Sequence, residues 1–175
     1  MDDATAPDRS RSISWHDPMI GATAMRDMTG LEYMESLVSG AVPPPPIIAL
    51  MNMRLVSVSP GNAVFECEPD ESHYNPIGAV HGGFACTALD SAAGCAVQTT
   101  LPAGTGYTSL EIKVSYLRAL STTTGPLTAT GRVVKPGKRV AFAEAELTDG
   151  EGRVVATASS TLLIFPIPGA VATSD

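Results

Sequence analysis

The sequence predicts an α+β fold in which a six-stranded antiparallel sheet is wrapped around one central helix. Six segments have the composition of short strands and are bounded by turn residues such as glycine and proline. One segment, residues 83–100, shows no alternation and is rich in alanine, which favours a helix that other backbone can approach closely. The order is two strands, the helix and four strands, and 175 residues suffice for one such domain with an extension.

The extension is the part before the first strand. Residues 1–20 are polar and irregular, which indicates a flexible tail. Thr29 and Glu32 form a capping box, and apolar residues recur after it at helical spacing, so we expect a short helix over about 30–39. Four prolines at 43–46 then indicate a stiff spacer that seats this helix on the core, although a proline run can also bind a proline-recognition module.

The remaining elements follow from turns and alternation. We divide the chain into an extension over 1–46, a domain over 47–168 and a frayed tail over 169–175. In the strand that follows the central helix, Leu110, Ile112, Val114 and Tyr116 alternate with polar residues and are predicted to face one way. The predicted strands are 51–59, 63–68, 108–118, 127–134, 139–148 and 153–165.

Composition and charge exclude several classes of protein. Hydrophobic residues make up 44% and charged residues 17%, as in a packed globular domain, and the net charge of −7 disfavours a nucleic-acid-binding protein. Two long uncharged stretches, 36–53 and 91–110, contain prolines and polar residues that do not suit a membrane span. The acidic N-terminus has no apolar segment of a secretory signal. The three cysteines form no CxxC pair, so we expect a reduced, cytoplasmic protein.

Two features of the central helix could carry chemistry. His81-Gly82-Gly83 precedes the helix, whose free N–H groups and positive dipole end suit an oxyanion or a polarised carbonyl; a tight turn with a packed His81 is the alternative. Asp90 lies within the apolar part of the helix, where a carboxylate is costly unless it is paired or functional. It is a candidate general base or nucleophile, and a solvated or hydrogen-bonded carboxylate is the alternative.

Other signatures are absent, and one group of charges is suggestive. The sequence contains no GxSxG elbow, no P-loop of correct spacing and no cluster with zinc-ligand spacing, so we expect neither a metal nor a cofactor. Four of the 11 basic residues occur at predicted strand ends and in one turn. They could receive phosphates, or they could be ordinary charges that discourage edge pairing. These residues are Arg118, Lys135, Lys138 and Arg139.

Three motifs together resemble a known family. The run from Asn75 to Gly83 (NPIGAVHGG), then Asp90, then the run from Thr108 to Tyr116 (TSLEIKVSY) resemble the PaaI-like, phenylacetate-degradation-type hotdog thioesterases. The resemblance spans about residues 47–165 and implies the hotdog fold. It also implies either a homodimer or a homotetramer built as a dimer of dimers, with active sites at the subunit interface.

The resemblance also implies roles for individual residues. The backbone amide of Gly82 polarises the thioester carbonyl, Asn75 positions the thioester or the attacking water, and His81 orders the turn. Asp90 acts as general base or nucleophile and Ser109 assists it. The Asn75–Gly82 side comes from one chain and the Asp90–Ser109 side from its partner. Substrate-binding positions are expected at Gly83, Thr108, Arg118, Lys135, Lys138 and Arg139.

These expectations lead to an acyl-CoA thioesterase that hydrolyses an acyl-CoA to a free acid and CoA, with coenzyme A present only as part of the substrate. A hotdog hydratase or dehydratase, with His81 and Asp90 as acid and base, is the alternative among enzymes. A non-catalytic acyl-CoA sensor is the alternative outside enzymes, although the acidic extension does not suit a DNA-binding module. Aromatic, short and medium-chain acyl groups all remain open. Phe84, Met51, Met53 and residues 43–48 are candidates to line their pocket.

Overall fold

The structure is a computed structural model that describes residues 8–169. An N-terminal helical part precedes the sheet. Its helices are α1 (Pro18–Ala24), α2 (Gly30–Ser39) and α3 (Pro46–Leu50). The sheet and the central helix follow as β1 (Met53–Ser59), β2 (Asn62–Cys67), α4 (Gly82–Gln98), β3 (Thr105–Tyr116), β4 (Leu127–Lys135), β5 (Val140–Thr148) and β6 (Val154–Pro166).

All six strands form one antiparallel sheet in the order β1-β2-β4-β5-β6-β3. Helix α4 packs against one face of this sheet, mainly on β4, β5 and β2, and its buried residues form the centre of the core. The predicted fold class is therefore confirmed: a six-stranded antiparallel sheet, one central helix and an N-terminal helical part in the hotdog arrangement. The edge strands are β1 and β3.

Small residues allow α4 to lie close to its neighbours. A Cβ atom on Gly131 of β4 would lie 2.0 Å from the Ala92 carbonyl oxygen, and one on Gly30 of α2 would lie 1.7 Å from the Gln98 carbonyl oxygen. Both distances are far below van der Waals contact, so only glycine permits these approaches. The fully buried alanines of α4 complete the contact surface; they are Ala85, Ala88, Ala92, Ala93 and Ala96.

The N-terminal part contains one predicted helix and two that the sequence analysis did not predict. Helix α2 begins with the expected capping box of Thr29 and Glu32. Helix α1 follows Asp17, whose carboxylate accepts the Met19 amide at 2.9 Å, and α3 begins at Pro46, so the end of the proline run starts a helix. Residues 1–7 of the predicted tail and 170–175 of the C-terminal tail lie outside the described residues.

Strand β3 contains a bulge that changes which side chains face the helix. Its pairing with β6 is shifted between Ser109 and Glu111, so one extra residue, Leu110, is accommodated there. Leu110 is 59% exposed, whereas Ile112 and Val114 pack against the core. The expectation that Leu110 belongs to the same row as Ile112 is wrong, because the bulge interrupts the alternation between them.

None of the helices within residues 8–169 is both long and apolar enough to span a membrane. The three cysteines are free; Cys67 is buried. Burial raises the pKa of the Cys67 thiol to about 12, as it does for Cys95. Both thiols are therefore protonated at neutral pH, where a thiol is a poor nucleophile.

Candidate active site

The turn before α4 leaves one backbone amide free. His81 caps the helix, since its Nδ1 accepts the Gly83 amide at 2.8 Å. A Cβ on Gly83 would lie at that same 2.8 Å from His81 Nδ1, so the cap requires a glycine there. The Phe84 amide bonds the His81 carbonyl at 2.9 Å. Among the described residues the Gly82 amide has no acceptor, and it lies at the positive end of the α4 dipole.

Asn75 is held in a tight loop that faces this turn. Its side-chain Oδ1 accepts hydrogen bonds from the backbone amides of Ile77 and Ala79, both at 3.1 Å. Its backbone amide donates to the Ala79 carbonyl at 2.8 Å. These bonds occupy the side-chain oxygen and fix the orientation of the amide group. Within residues 8–169, Nδ2 has no partner, so Asn75 can offer a hydrogen-bond donor to a ligand.

Tyr116 is a site residue that the sequence analysis did not single out. Its hydroxyl donates to the Gly82 carbonyl at 3.1 Å, and a Cβ on Gly82 would lie 3.2 Å from Tyr116 Cζ. Tyr116 lines a cavity of about 330 Å³ with Asn75, His81, Gly82 and Arg118. Its position at the end of the TSLEIKVSY run was the one feature of the sequence that could have identified it as a site residue. Only the fold shows that its side chain reaches the turn before α4.

Asp90 and Ser109 form the second part of the site. Ser109 Oγ donates to Asp90 Oδ1 at 2.7 Å, which joins edge strand β3 to the central helix. Both residues line another cavity of about 330 Å³, together with Cys86 and Thr87 from the preceding turn of α4. Burial, and to a lesser extent the nearby Asp90 carboxylate, raise the pKa of the Cys86 thiol.

The two parts of the site are separate within one chain. Gly82 and Asp90 lie eight positions apart on α4, a rise of about 12 Å along the helix axis. The two cavities share no lining residue. A ligand atom in hydrogen-bond reach of the Gly82 amide therefore lies too far from the Asp90 carboxylate of the same chain to react with it.

The predicted phosphate-binding residues do not form one group in the chain. Thr108 of β3, Leu163 of β6 and Val140 of β5 are neighbours across the sheet, so the turn after β4 lies at the Thr108 end of β3. Arg118 follows the opposite end of β3, roughly 25 Å or more from that turn. The turn carries Lys135, Lys138 and Arg139, all exposed. Thr108 is exposed and lines neither of the two 330 Å³ cavities.

A third cavity reaches Asp90 from beneath the N-terminal part. It has a volume of about 510 Å³, and its walls come from α2, the proline run, α3, β1 and α4. Met53 and residues from the 43–48 segment line it, as expected for an acyl pocket, whereas Phe84 and Met51 do not. Phe84 is buried and packs edge-on against the His73 ring, with ring centroids 4.8 Å apart.

Tyr107 and Cys95 form the uncharged wall of this third cavity. Burial raises the pKa of Tyr107 well above its ordinary value, and the nearby Cys95 thiol contributes in the same direction. Both groups therefore remain protonated across the physiological pH range. Within residues 8–169, histidine, cysteine and carboxylate side chains form no cluster that could hold a metal ion.

Comparison with known proteins identifies a family to which this chain is similar. The family model of the thioesterase superfamily matches residues 77–156, a range that contains His81, Asp90 and Ser109. Human acyl-coenzyme A thioesterase 13 is 30% identical over 113 residues, which cover 64% of this chain and 79% of that protein. A solved structure of a phenylacetic acid degradation-related protein from Ralstonia eutropha is 26% identical, with a TM-score of 0.68, over 75% of this chain and 98% of that one. The PaaI protein of E. coli, 21% identical with a TM-score of 0.63, shares the fold over 72% of this chain and 87% of its own.

Proposed function

Because the chain belongs to the thioesterase superfamily and is a thioester hydrolase, we propose that it acts as an acyl-CoA thioesterase with Gly82 and Asp90 at its centre. One observation carries the proposal: α4 presents at its positive end a Gly82 amide that has no acceptor within residues 8–169, and further along a carboxylate, Asp90, which is held by Ser109. An oxyanion donor and a carboxylate are the two groups that thioester hydrolysis requires.

In the proposed reaction the thioester carbonyl oxygen accepts the Gly82 N–H, and the Asn75 amide group donates to this oxygen or to the attacking water. Negative charge that develops on the oxygen is stabilised by the helix dipole. Asp90 either takes a proton from the water or attacks the carbonyl carbon itself. In either route a new C–O bond replaces the C–S bond, and the CoA thiolate leaves and takes up a proton. Where Asp90 is the nucleophile, this step forms an acyl-Asp90 anhydride, which water then hydrolyses to release the acid and restore the carboxylate.

Ser109 is a positioning residue in this scheme. Its hydroxyl donates to Asp90 Oδ1, so one carboxylate oxygen is fixed and Oδ2 remains to act on the water or the carbonyl carbon. Ser109 therefore keeps the Asp90 side chain oriented before the substrate binds.

The active site is proposed to be shared by two copies of the chain. Gly82 and Asp90 of one chain are about 12 Å apart, too far to act on one carbonyl group. The 12-residue edge strand β3 has a free edge among the described residues, which a second β3 can pair with. Antiparallel pairing about a two-fold axis near the strand's middle brings the Tyr116 end, and with it Gly82, beside the partner's Ser109 and Asp90.

The same two-fold arrangement accounts for the distribution of basic residues. Arg118 lies at the Gly82 end of β3, and the turn with Lys138 and Arg139 lies at the Ser109 end. Across a two-fold axis, the Arg118 of one chain approaches this turn of the other. Cations from both chains would then surround the phosphates of one CoA, in a protein whose net charge is −7.

The hydratase alternative has less support from the site. It requires His81 as an acid or base, but His81 Nδ1 is already engaged by the Gly83 amide as a helix cap. The non-catalytic alternative also has less support, because the similar human protein, acyl-coenzyme A thioesterase 13, is named as an enzyme.

A thiol-release assay on saturated and 2-enoyl CoA thioesters tests the proposal. We expect release of free CoA from saturated acyl-CoAs, abolished in Asp90→Asn and retained in Asp27→Asn, which removes an exposed carboxylate outside the site. Hydration of an enoyl-CoA without thiol release would establish the hydratase instead. Tight acyl-CoA binding without turnover would establish the sensor.

A further inference from the structure

The 510 Å³ cavity beneath α2 is lined by Asp90 but not by Ser109. Asp90 lines both this cavity and the one that contains Ser109, and Ser91 and Cys95 of α4 extend the wall inward. A thioester carbonyl placed at Asp90 has its CoA on one side and its acyl group on the other. The cavity is therefore placed to receive the acyl group of a thioester whose carbonyl lies at Asp90.

We infer, resting on the proposed function, that this cavity binds an uncharged apolar acyl chain of medium length, and that Leu37 and Ile48 of the N-terminal part limit that length. More than half of the lining residues belong to the segment from Met34 to Ile48, outside the strands and the central helix. The N-terminal part thus provides the specificity wall of the active site in the same chain that supplies Asp90.

The chemistry of the wall disfavours a charged acyl end. The wall is formed mostly by thioether and aliphatic side chains, which offer no partner to a carboxylate or an ammonium group. The one basic residue, Arg54, is engaged at 2.5 Å by Glu66. Tyr107 and Cys95 are uncharged at neutral pH. The apolar lining residues include Met34, Leu37, Ile47, Ile48 and Met53.

The size of the cavity indicates the length of the chain. A water-sized group takes up ~30 Å³ in a liquid, so a cavity of about 510 Å³ has room for on the order of ten to fifteen such groups when it is loosely filled. An acyl chain of roughly eight to twelve carbons fits this space, whereas an acetyl group leaves most of the apolar wall in contact with water. Binding energy from the chain can then contribute to catalysis at the distant carbonyl.

Two variants of one wall residue test the inference in opposite directions. Leu37 is half-buried on α2, so Leu37→Trp fills the cavity and Leu37→Ala enlarges it. The readout is kcat/KM for acetyl-, octanoyl-, decanoyl-, myristoyl-, phenylacetyl- and succinyl-CoA, below the concentrations at which the longer thioesters form micelles. Glu35→Trp is the matched control, because it adds the same side chain on the exposed side of the same helix. Thermal melts confirm that each variant is folded.

We expect the wild type to prefer decanoyl-CoA over acetyl- and succinyl-CoA by at least ~10-fold in kcat/KM. Leu37→Trp should lower the decanoyl-to-acetyl ratio at least ~10-fold, Leu37→Ala should move the optimum towards myristoyl-CoA, and Glu35→Trp should leave the ratio unchanged. Ile48→Trp, on α3, repeats the test should Leu37→Trp fail to fold.

Three outcomes would overturn the inference while the proposed function stands: a preference for phenylacetyl- or succinyl-CoA, a preference for acetyl-CoA, or a chain-length profile that no cavity variant changes. Absence of thiol release from every acyl-CoA would instead overturn the proposed function, and the inference with it. The two failures are therefore distinguishable in one experiment.

Discussion

Ser109 Oγ donates a 2.7 Å hydrogen bond to Asp90 Oδ1 and so connects an edge strand to the only long helix of the described chain. We expect Asp90→Asn to lower kcat by at least ~10²-fold while acyl-CoA binding persists, because the change deletes the base or nucleophile. Ser109→Ala should lower kcat by about 10-fold with little change in KM, since a hydrogen bond to a charged group is lost but the carboxylate remains.

Steady-state thiol release gives kcat and KM for each variant. Ser115→Ala is the control, because Ser115 is an exposed serine on the same strand. Turnover near that of the wild type in Asp90→Asn would reject Asp90 as the reacting carboxylate. An equal loss in Ser115→Ala would mean that the effect of Ser109→Ala is structural.

Arg118 should contribute to CoA binding rather than to the chemical step. Arg118→Ala, and separately Lys138→Ala combined with Arg139→Ala, should raise KM by about 3- to 10-fold with kcat nearly unchanged, since contacts to remote phosphates stabilise ground state and transition state alike. The effect should shrink at high salt. Arg132→Ala is the control, because Arg132 pairs with Glu144 on exposed sheet surface.

KM measured at low and high ionic strength separates the two interpretations of these basic residues. An unchanged KM at low salt in both variants would mean that they are ordinary surface charges. A rise in only one of the two would show that the phosphates bind at one end of β3, which the two-fold arrangement does not predict.

The contact of β4 with α4 should tolerate no side chain at Gly131. A Cβ there would lie 2.0 Å from the Ala92 carbonyl oxygen, a backbone atom that cannot move without shifting the helix. We expect Gly131→Ala to lower the free energy of unfolding by about 3 kcal/mol. Gly150→Ala, where the nearest atom would be 3.7 Å away, should change it by less than ~1 kcal/mol. Urea denaturation measures both, and equal effects would contradict the close approach.

Acid should weaken the β5–β6 turn through Asp149. Burial alone would raise the pKa of Asp149, but hydrogen bonds from the Arg153 amide and guanidinium and from the Glu151 amide outweigh it and hold the pKa below its ordinary value. A depressed pKa adds stability above the unfolded-state pKa, and that stability is lost as the pH falls through the folded-state value.

The melting temperature of Asp149→Asn should therefore be lower than that of the wild type at pH 7, and the difference should shrink below about pH 4. Asp27→Asn, which removes an exposed carboxylate, is the control. A difference in melting temperature that stays constant from pH 7 to pH 3 would show that the charge of Asp149 does not stabilise the turn.

Local sequence signals predicted most of the fold. The capping box of Thr29 and Glu32 and the glycine at position 40 determine both ends of α2, which the structure places at Gly30–Ser39 as expected. The strands followed from alternation and turn residues. The bulge at Leu110 could not be predicted, because it depends on pairing with β6 rather than on the residues of β3 alone.

The candidate site residues Asn75, Gly82 and Asp90 came from motifs, and their division between two chains came from the family resemblance. The eight helical positions between Gly82 and Asp90 agree with that division, since they place the two residues in different cavities. The approach of Tyr116 to Gly82 and the distance of Arg118 from the turn that follows β4 could not be predicted, because both depend on how the strands pair.

Complementation between two inactive variants tests the shared site most directly. If Gly82 and Asn75 of one chain act with Asp90 of the other, Asn75→Ala and Asp90→Ala homodimers are both inactive. A mixed dimer then has one site with both defects and one intact site. Co-refolding equal amounts with random pairing makes about half of the dimers mixed, so activity should recover to about a quarter of the wild-type value. Either variant refolded alone is the control. If mixed dimers form, as tags of different mass would show, and yet remain inactive, each site is built within a single chain, and β3 does not bring the two parts together.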